Sequence, residues 1–233
     1  MGLPLITERI FGFDGQVMPH PPILRGVRIV IDALRQAGHS VVQWKPYKHV
    51  HGLNLVNQIF SADGKVTSRR HMAASGEPPI EMLKENFQPV STRIDLNTLW
   101  KLQSERTDYQ REYLNMWQEQ YPMVDAWILP VAPHAAIEHN KYKYYGYSTL
   151  INLLDWSAIT IPVTYADKEL DLKDVDYKAI NDLDSIINEE YDADVYHGAP
   201  VAIQLVGRRL QEEYLVGLAT QIDDVLKSST EIS

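Results

Sequence analysis

The sequence predicts an α/β fold from three observations. A strand–helix–strand succession opens the chain. A second succession of apolar runs and helical stripes begins near residue 126. With 45% hydrophobic residues in 233, there is enough apolar material for one good core. A chain of this length buries roughly 70% of its unfolded surface on folding, so it needs no covalent staple. The complete absence of cysteine agrees.

The opening segment ITERIFGF reads as a strand that ends at the Asp14-Gly15 turn. Pro21 and Pro22 then suit the first turn of a helix, where a missing N–H costs least. That helix runs to about Ala37 on a stripe of Val27, Val30, Ile31 and Leu34, with Gly38 placed for a left-handed cap. SVVQW follows as a short strand. The βαβ unit so formed favours parallel pairing with a right-handed crossover.

Residues 49–74 read as helical with a break at Asp63-Gly64, and SGEPP at 75–79 is a loop. A long helix covers 95–120. Leu96, Leu99 and Trp100 share one face of it, as do Tyr109, Tyr113, Met116 and Trp117 further on. AWILP at 126–130 is a buried-strand candidate. The run YGYSTLINLLDWSAITIPVTY gives a helix at 145–154 and a strand at 158–163 closed by Pro162. APVAIQLVG is the last strand, and Glu212 and Glu213 fall in the first turn of a final helix, where its dipole favours them.

The net charge of -9 is unevenly spread. Residues 167–194 hold 11 Asp or Glu against 3 Lys, so the rest is nearly neutral and offers no basic face for phosphates; nucleic-acid binding is not expected. The acidic stretch, about 167–195, reads as a solvated insertion between strands. A calcium loop is the competing reading, but the required Gly and terminal Glu are missing. No membrane span is expected, and Met1 to Ile10 carries neither a signal-peptide pattern nor a full myristoylation motif. A soluble, cytoplasmic protein is the expectation.

Amide- or ester-cleaving chemistry needs a nucleophile, a base and N–H donors for the developing oxyanion. GYSTL at 146–150 begins like a nucleophile elbow, but Leu150 stands where the second Gly belongs. No two of the 12 glycines are adjacent, and no Ser is followed three residues later by Lys. The eight histidines show no HExxH and no carboxylate at a telling offset, so they read as scattered surface or capping residues, with no metal and no cofactor expected. Asp155, inside NLLDW, is either a carboxylate perturbed by apolar neighbours or a helix-end acceptor of backbone N–H bonds; Asn152 has the same two readings. Gln204 would lie in a buried strand as a hydrogen-bonded structural tie.

Five stretches together resemble the C-terminal half of fungal amidases and acetamidases of the amidase signature family: DGQVMPHPPILRGVRIVIDALRQAGHSVVQW, DAWILPVAPHAA, YSTLINLLDWSAITIPV, DKELD and YHGAPVAIQLVGRRLQEEYLV. The resemblance spans nearly the whole chain. It implies a single partial amidase domain over 1–233, with a mixed, mostly parallel sheet and helices on both faces. The activity it implies is hydrolysis of a carboxamide to a carboxylic acid and ammonia or an amine.

The family's Ser nucleophile, its second Ser in a cis peptide and its Lys base belong to a signature region preceding the part matched here. The resemblance therefore gives this chain no catalytic residue and implies that it is inactive alone. It further implies that the helix at 145–154 covers one side of an acyl pocket, with Tyr147, Leu150 and Leu153 as candidate lining groups; a plain core role is the competing reading. The partner expectations are an amide or acyl small molecule, and either a polypeptide supplying the catalytic half or self-association. A non-catalytic ligand-binding scaffold is a further alternative. Trp127, Ile128, Leu129, Ile159 and Ile161 are expected to lose part of their packing without that half.

Overall fold

The computed structural model describes residues 13–84, 93–120 and 123–230. Apart from Phe13, the strand expected over 6–13 lies outside the described residues, as do the readings made on Met1 to Ile10.

Helix α1 (Pro21–Gln36) starts on its two prolines and ends where Gly38, at φ +89°, and His39 return their N–H groups to Arg35 and Leu34 carbonyls. Its expected stripe is buried to 8% exposure or less. Gly26 is required for another reason: a Cβ there would meet Val201 Cγ1 at 2.6 Å, so the helix lies against the sheet at a distance only glycine permits.

SVVQW forms no strand, which corrects the expected βαβ unit; it stays outside the described sheet, with residues 126–129 across a shared cavity. Helices α2 (His49–Phe60) and α3 (Val66–Ser75) are separated at Asp63-Gly64, as expected. Asp63 accepts from Lys65 N and Thr67 N, and Gly64 takes φ +65°.

Helix α4 (Leu96–Glu119) is capped by Asp95, whose carboxylate accepts from Thr98 N at 2.8 Å. Its two faces fare differently. Tyr109, Tyr113 and Trp117 are 2% exposed or less, whereas Leu96 and Trp100 are 58% and 62% exposed.

Strands β1 (Trp127–Pro130), β2 (Ala158–Tyr165) and β3 (Pro200–Val206) form one sheet in the order β1-β3-β2. Both pairings are antiparallel, so the mostly parallel arrangement is not seen among the described residues. The physical reason is the position of β3. β1 and β2 both pair with it antiparallel, so they run in the same direction without touching each other. β2 continues through Pro162 to Tyr165, with a register shift between Pro162 and Thr164.

Helices do cover both faces. α1 and α8 (Glu212–Thr230) pack on Ile161, Ile203 and Leu205. On the other side α2, α4 and α5 (Gly146–Leu154) enclose Trp127, Leu129 and Val206. β3 is therefore buried almost throughout, although a continuous apolar run is more usual for parallel strands. Trp127, Leu129 and Ile161 are 4–7% exposed, so this chain's own helices supply packing that was expected to be lost; Ile128 and Ile159 are half-buried.

The acidic insertion needs correction too. It carries α6 (Asp182–Glu189) and α7 (Ala193–Tyr196), and two of its carboxylates are buried. Asp171 receives Arg25 Nε at 2.7 Å, Arg25 Nη2 at 2.8 Å and its neighbour Asp167 N at 2.8 Å. Asp184 receives Met18 N at 2.7 Å, Tyr177 Oη at 2.6 Å and Ile180 N at 2.9 Å. A buried carboxylate is tolerated when its lone pairs are met by donors, and here these bonds tie the insertion to residues 18–25.

Candidate functional site

The segment DGQVMPH, residues 14–20, gathers the buried polar groups of the molecule. The Asp-Gly turn is made by Asp14 Oδ1 accepting from Gln16 N at 2.8 Å and Val17 N at 3.1 Å. Its second oxygen accepts from Tyr144 Oη at 2.6 Å. Tyr147 Oη donates to Val17 O at 2.7 Å, and Asn181 Nδ2 to Gln16 O at 2.7 Å. Two distant parts of the chain, residues 144–147 and Asn181, thus converge on seven residues.

Three of the eight histidines are buried around this segment, which corrects the reading of all of them as surface or capping residues: His20 is 2%, His49 7% and His134 5% exposed. His20 Nε2 faces Ile187 O at 2.8 Å and His134 Nδ1 faces Ala135 O at 3.0 Å. A ring nitrogen facing a carbonyl must donate, which fixes both tautomers and leaves His20 Nδ1 and His134 Nε2 as acceptors without a protein partner. Their rings lie 6.2 Å apart, walled by Tyr142, Tyr191 and Tyr196.

Burial governs the ionisation of these groups. Asp14 is pushed up to about 6 by desolvation, against the lowering effect of the Tyr144, Gln16 and Val17 bonds. Desolvation lowers His20 and His49 to about 4 and also lowers His134. His49 Nε2 stands 4.0 Å from Asp14 Oδ2, within ion-pair range, yet both groups are shifted toward their neutral forms. With His49 lowered to about 4, its imidazole is neutral near pH 7, and the approach is a polar contact and not an ion pair.

The residues singled out from sequence are placed as follows. Gln204 is 4% exposed, and its Nε2 donates to Pro130 O at 2.7 Å and Tyr147 O at 3.0 Å, linking β3 to β1 and α5. Tyr147, Leu150 and Leu153 are 1–3% exposed and packed in the core of this chain. Asn152 is exposed, and its Nδ2 donates to Ser148 O at 3.1 Å. Asp155 caps α5 in the left-handed region at φ +58°, but its exposed carboxylate pairs with Arg209 Nε at 2.6 Å instead of accepting backbone N–H bonds. Tyr147 and Gln204 are therefore brought together, while Asn152 and Asp155 lie on the outer surface. Asp14, His20, His49, His134 and Asp184 escaped the sequence reading as site residues. Asp14 and His20 had a signal in the DGQVMPHPP stretch and His134 in DAWILPVAPHAA, both within the family resemblance, while His49 and Asp184 had none there.

Among the described residues, the serine hydroxyls that donate do so to glutamates or to backbone carbonyls: Ser157 and Ser185 to Glu212 and Glu189 at 2.8 Å, the others to carbonyls. Glu212 is held below its ordinary value, first by the Ser157 bond. No cluster of three metal-ligating side chains occurs among the described residues. No helix among them is long and apolar enough to cross a membrane.

The Amidase family matches residues 10–216. The chain is 44% identical over 220 residues to an acetamidase of Emericella nidulans and 46% identical over 220 residues to an acetamidase of Aspergillus oryzae. Each match covers 93% of this chain and 40% of that protein. It is 34% identical over 218 residues to Amidase 1 of Gibberella moniliformis. Among solved structures, a fatty acid amide hydrolase superposes with a TM-score of 0.85 over 97% of this chain and 42% of that one; at 24% identity this speaks for the fold alone. The chain thus spans about two fifths of the length of the relatives it matches, and it carries their α/β fold. It belongs to the amidase family.

Proposed function

We propose that these 233 residues are the C-terminal portion of a carboxamide hydrolase, a partial amidase domain whose role is to complete the sheet and wall the substrate pocket. The Ser–Ser–Lys chemistry comes from polypeptide outside them. The observation that carries this reading is the pairing of a match over residues 10–216 with described serines that donate only to carbonyls and to exposed glutamates. Hydrolysis of an unactivated amide needs a deprotonated nucleophile and a base poised near neutrality. The polar groups of residues 14–20 are buried and serve as supports.

Two features favour completion by further polypeptide. β1 and β2 are both edge strands of the described sheet. A cavity of about 280 Å³ lies between β1, residues 39–44, α1 and α8, lined by Ile31, Val41, Trp44, Ile128 and Ile222. Trp44 and Trp127 beside it hold buried indole N–H groups without a partner. In this reading α5 forms one wall of the acyl pocket, with Tyr147, Leu150 and Leu153 shaping it from the core side.

The test is ammonia release from acetamide by the purified chain, alone and after co-expression with the N-terminal portion of an acetamidase. Activity is expected only in the combination. Turnover by the chain alone, abolished by a change in one of its own side chains, would refute the reading; so would a stable complex of the two portions that leaves acetamide untouched.

A further inference from the structure

A groove of about 480 Å³ lies between the second half of α4, the end of α5 and the loop leading into α8, and no part of the proposed amidase role uses it. Arg111, Arg208 and Arg209 line it with Gln118, and Leu114 and Trp156 give it an apolar floor. Asp155 is the one carboxylate in this lining, so three guanidinium groups meet a single negative charge in a chain whose net charge is -9.

The three arginines are not equally engaged. Arg209 is paired with Asp155 at 2.6 Å and Arg111 with Asp108 at 2.6 Å. Among the described residues Arg208 makes one hydrogen bond, from Nε to the neutral Gln211 Oε1 at 3.3 Å, and no ion pair, so its two terminal nitrogens face the groove without a counter-charge. The backbone holds the loop in a sparsely populated form: Leu210, between Arg209 and Gln211, lies at φ +61°, and Asp155 across the groove at φ +58°. Trp156 is itself locked, with Trp117 edge-on at 5.1 Å and Trp127 at 4.9 Å.

We propose that this groove is a binding site for a small carboxylate whose apolar body rests on Trp156 and Leu114 while Arg208 takes the carboxylate. A planar guanidinium with terminal N–H groups to offer matches a carboxylate in bidentate geometry, and the apolar Trp156 and Leu114 in the same lining accept a ring or short acyl chain. The site is open to solvent, so affinity is in the millimolar range and falls as salt screens the charge. The proposal does not depend on turnover by this chain.

The test titrates the full chain with sodium benzoate and with neutral benzamide, following the Trp156 indole N–H by two-dimensional NMR, assigned through Trp156→Phe. Benzoate is expected to give saturable shifts and benzamide none, with Kd weakening about threefold as salt rises from about 20 mM to about 200 mM. Arg208→Gln should raise Kd about fivefold, Arg208→Lys by less, and Arg28→Gln on the exposed side of α1 not at all. Equal shifts with benzamide, an unchanged Kd in Arg208→Gln with a native spectrum, or equal binding of sulfate would overturn the proposal.

Discussion

The acidic insertion and the aromatic face of α4 are held in opposite ways. The insertion is fixed by directional bonds: Asp171 and Asp184, each 1% exposed or less, have their carboxylates filled by Arg25, Met18, Tyr177 and Ile180. The α4 face is fixed chiefly by ring contact, with single hydrogen bonds from Tyr109 Oη to Tyr47 O and Trp117 Nε1 to Val124 O at its margins. Trp117 stacks on Trp127 at 4.4 Å and meets Trp156 at 5.1 Å, while Trp44 and Trp127 keep unpartnered indole N–H groups. The difference teaches that charge-rich sequence can be structurally closed while apolar sequence stays open to further cover.

The comparison is sharpened most by removing bulk from the contact side. Trp117→Ala should destabilise by about 4 kcal/mol, read from denaturant midpoints, because the cavity cannot be refilled by rigid rings around it. A loss under about 1 kcal/mol would show that the aromatic face is not close-packed.

On the bonded side, Arg25→Ala should cost about 3 kcal/mol, since Asp171 would remain buried without its counter-charge. Asp184→Ala should cost a similar amount, about 3 kcal/mol, by orphaning Met18 N and Ile180 N. If either change were tolerated while the insertion kept its hydrogen-exchange protection, bonding would not be what holds it.

Titration separates the buried groups by sign. His20 and His49 have folded values near 4, below their ordinary 6.5, so the unfolded chain binds more protons between those limits and stability rises with pH across about 4 to 6.5. Asp14, raised from 3.8 to about 6, acts oppositely: its contribution is full below about 4 and is lost as pH rises to about 6. Each shift corresponds to about 3 kcal/mol, and two histidines outweigh one carboxyl. Melting temperature should therefore climb from pH 4 to 6.5, and more steeply in Asp14→Asn. A flat profile in both proteins would contradict the burial of these histidines.

The smallest effect expected is at Trp100, 62% exposed on the first half of α4. Trp100→Ser should shift stability by about 0.5 kcal/mol or less. A larger loss would mean that the uncovered half of the helix is covered in solution.

Local signals made the helices legible. Paired prolines, a four-residue stripe and Gly38 bound α1, and the Asp63-Gly64 pair separates α2 from α3. Strand identity was legible from apolar runs at 127–130 and 200–206, but pairing direction was not, because an apolar run carries no mark of its neighbour. SVVQW has the composition of a strand and forms none, since a strand exists only with a partner. The buried polar groups were hidden for a related reason. Asp184 looks like one acid among many until Met18, 166 residues away, is seen to donate to it. Tyr147 and Gln204 showed their character locally, as large or amide side chains amid apolar neighbours, whereas Asp155 looked enclosed in sequence and turned outward at the helix end.

Pro162 interrupts the outer strand of the sheet at the register shift before Thr164. A proline nitrogen carries no hydrogen, so one rung of the ladder is missing at that residue. The ladder of β2 is thus locally irregular at its centre, and any strand pairing with it has to accommodate a bend there.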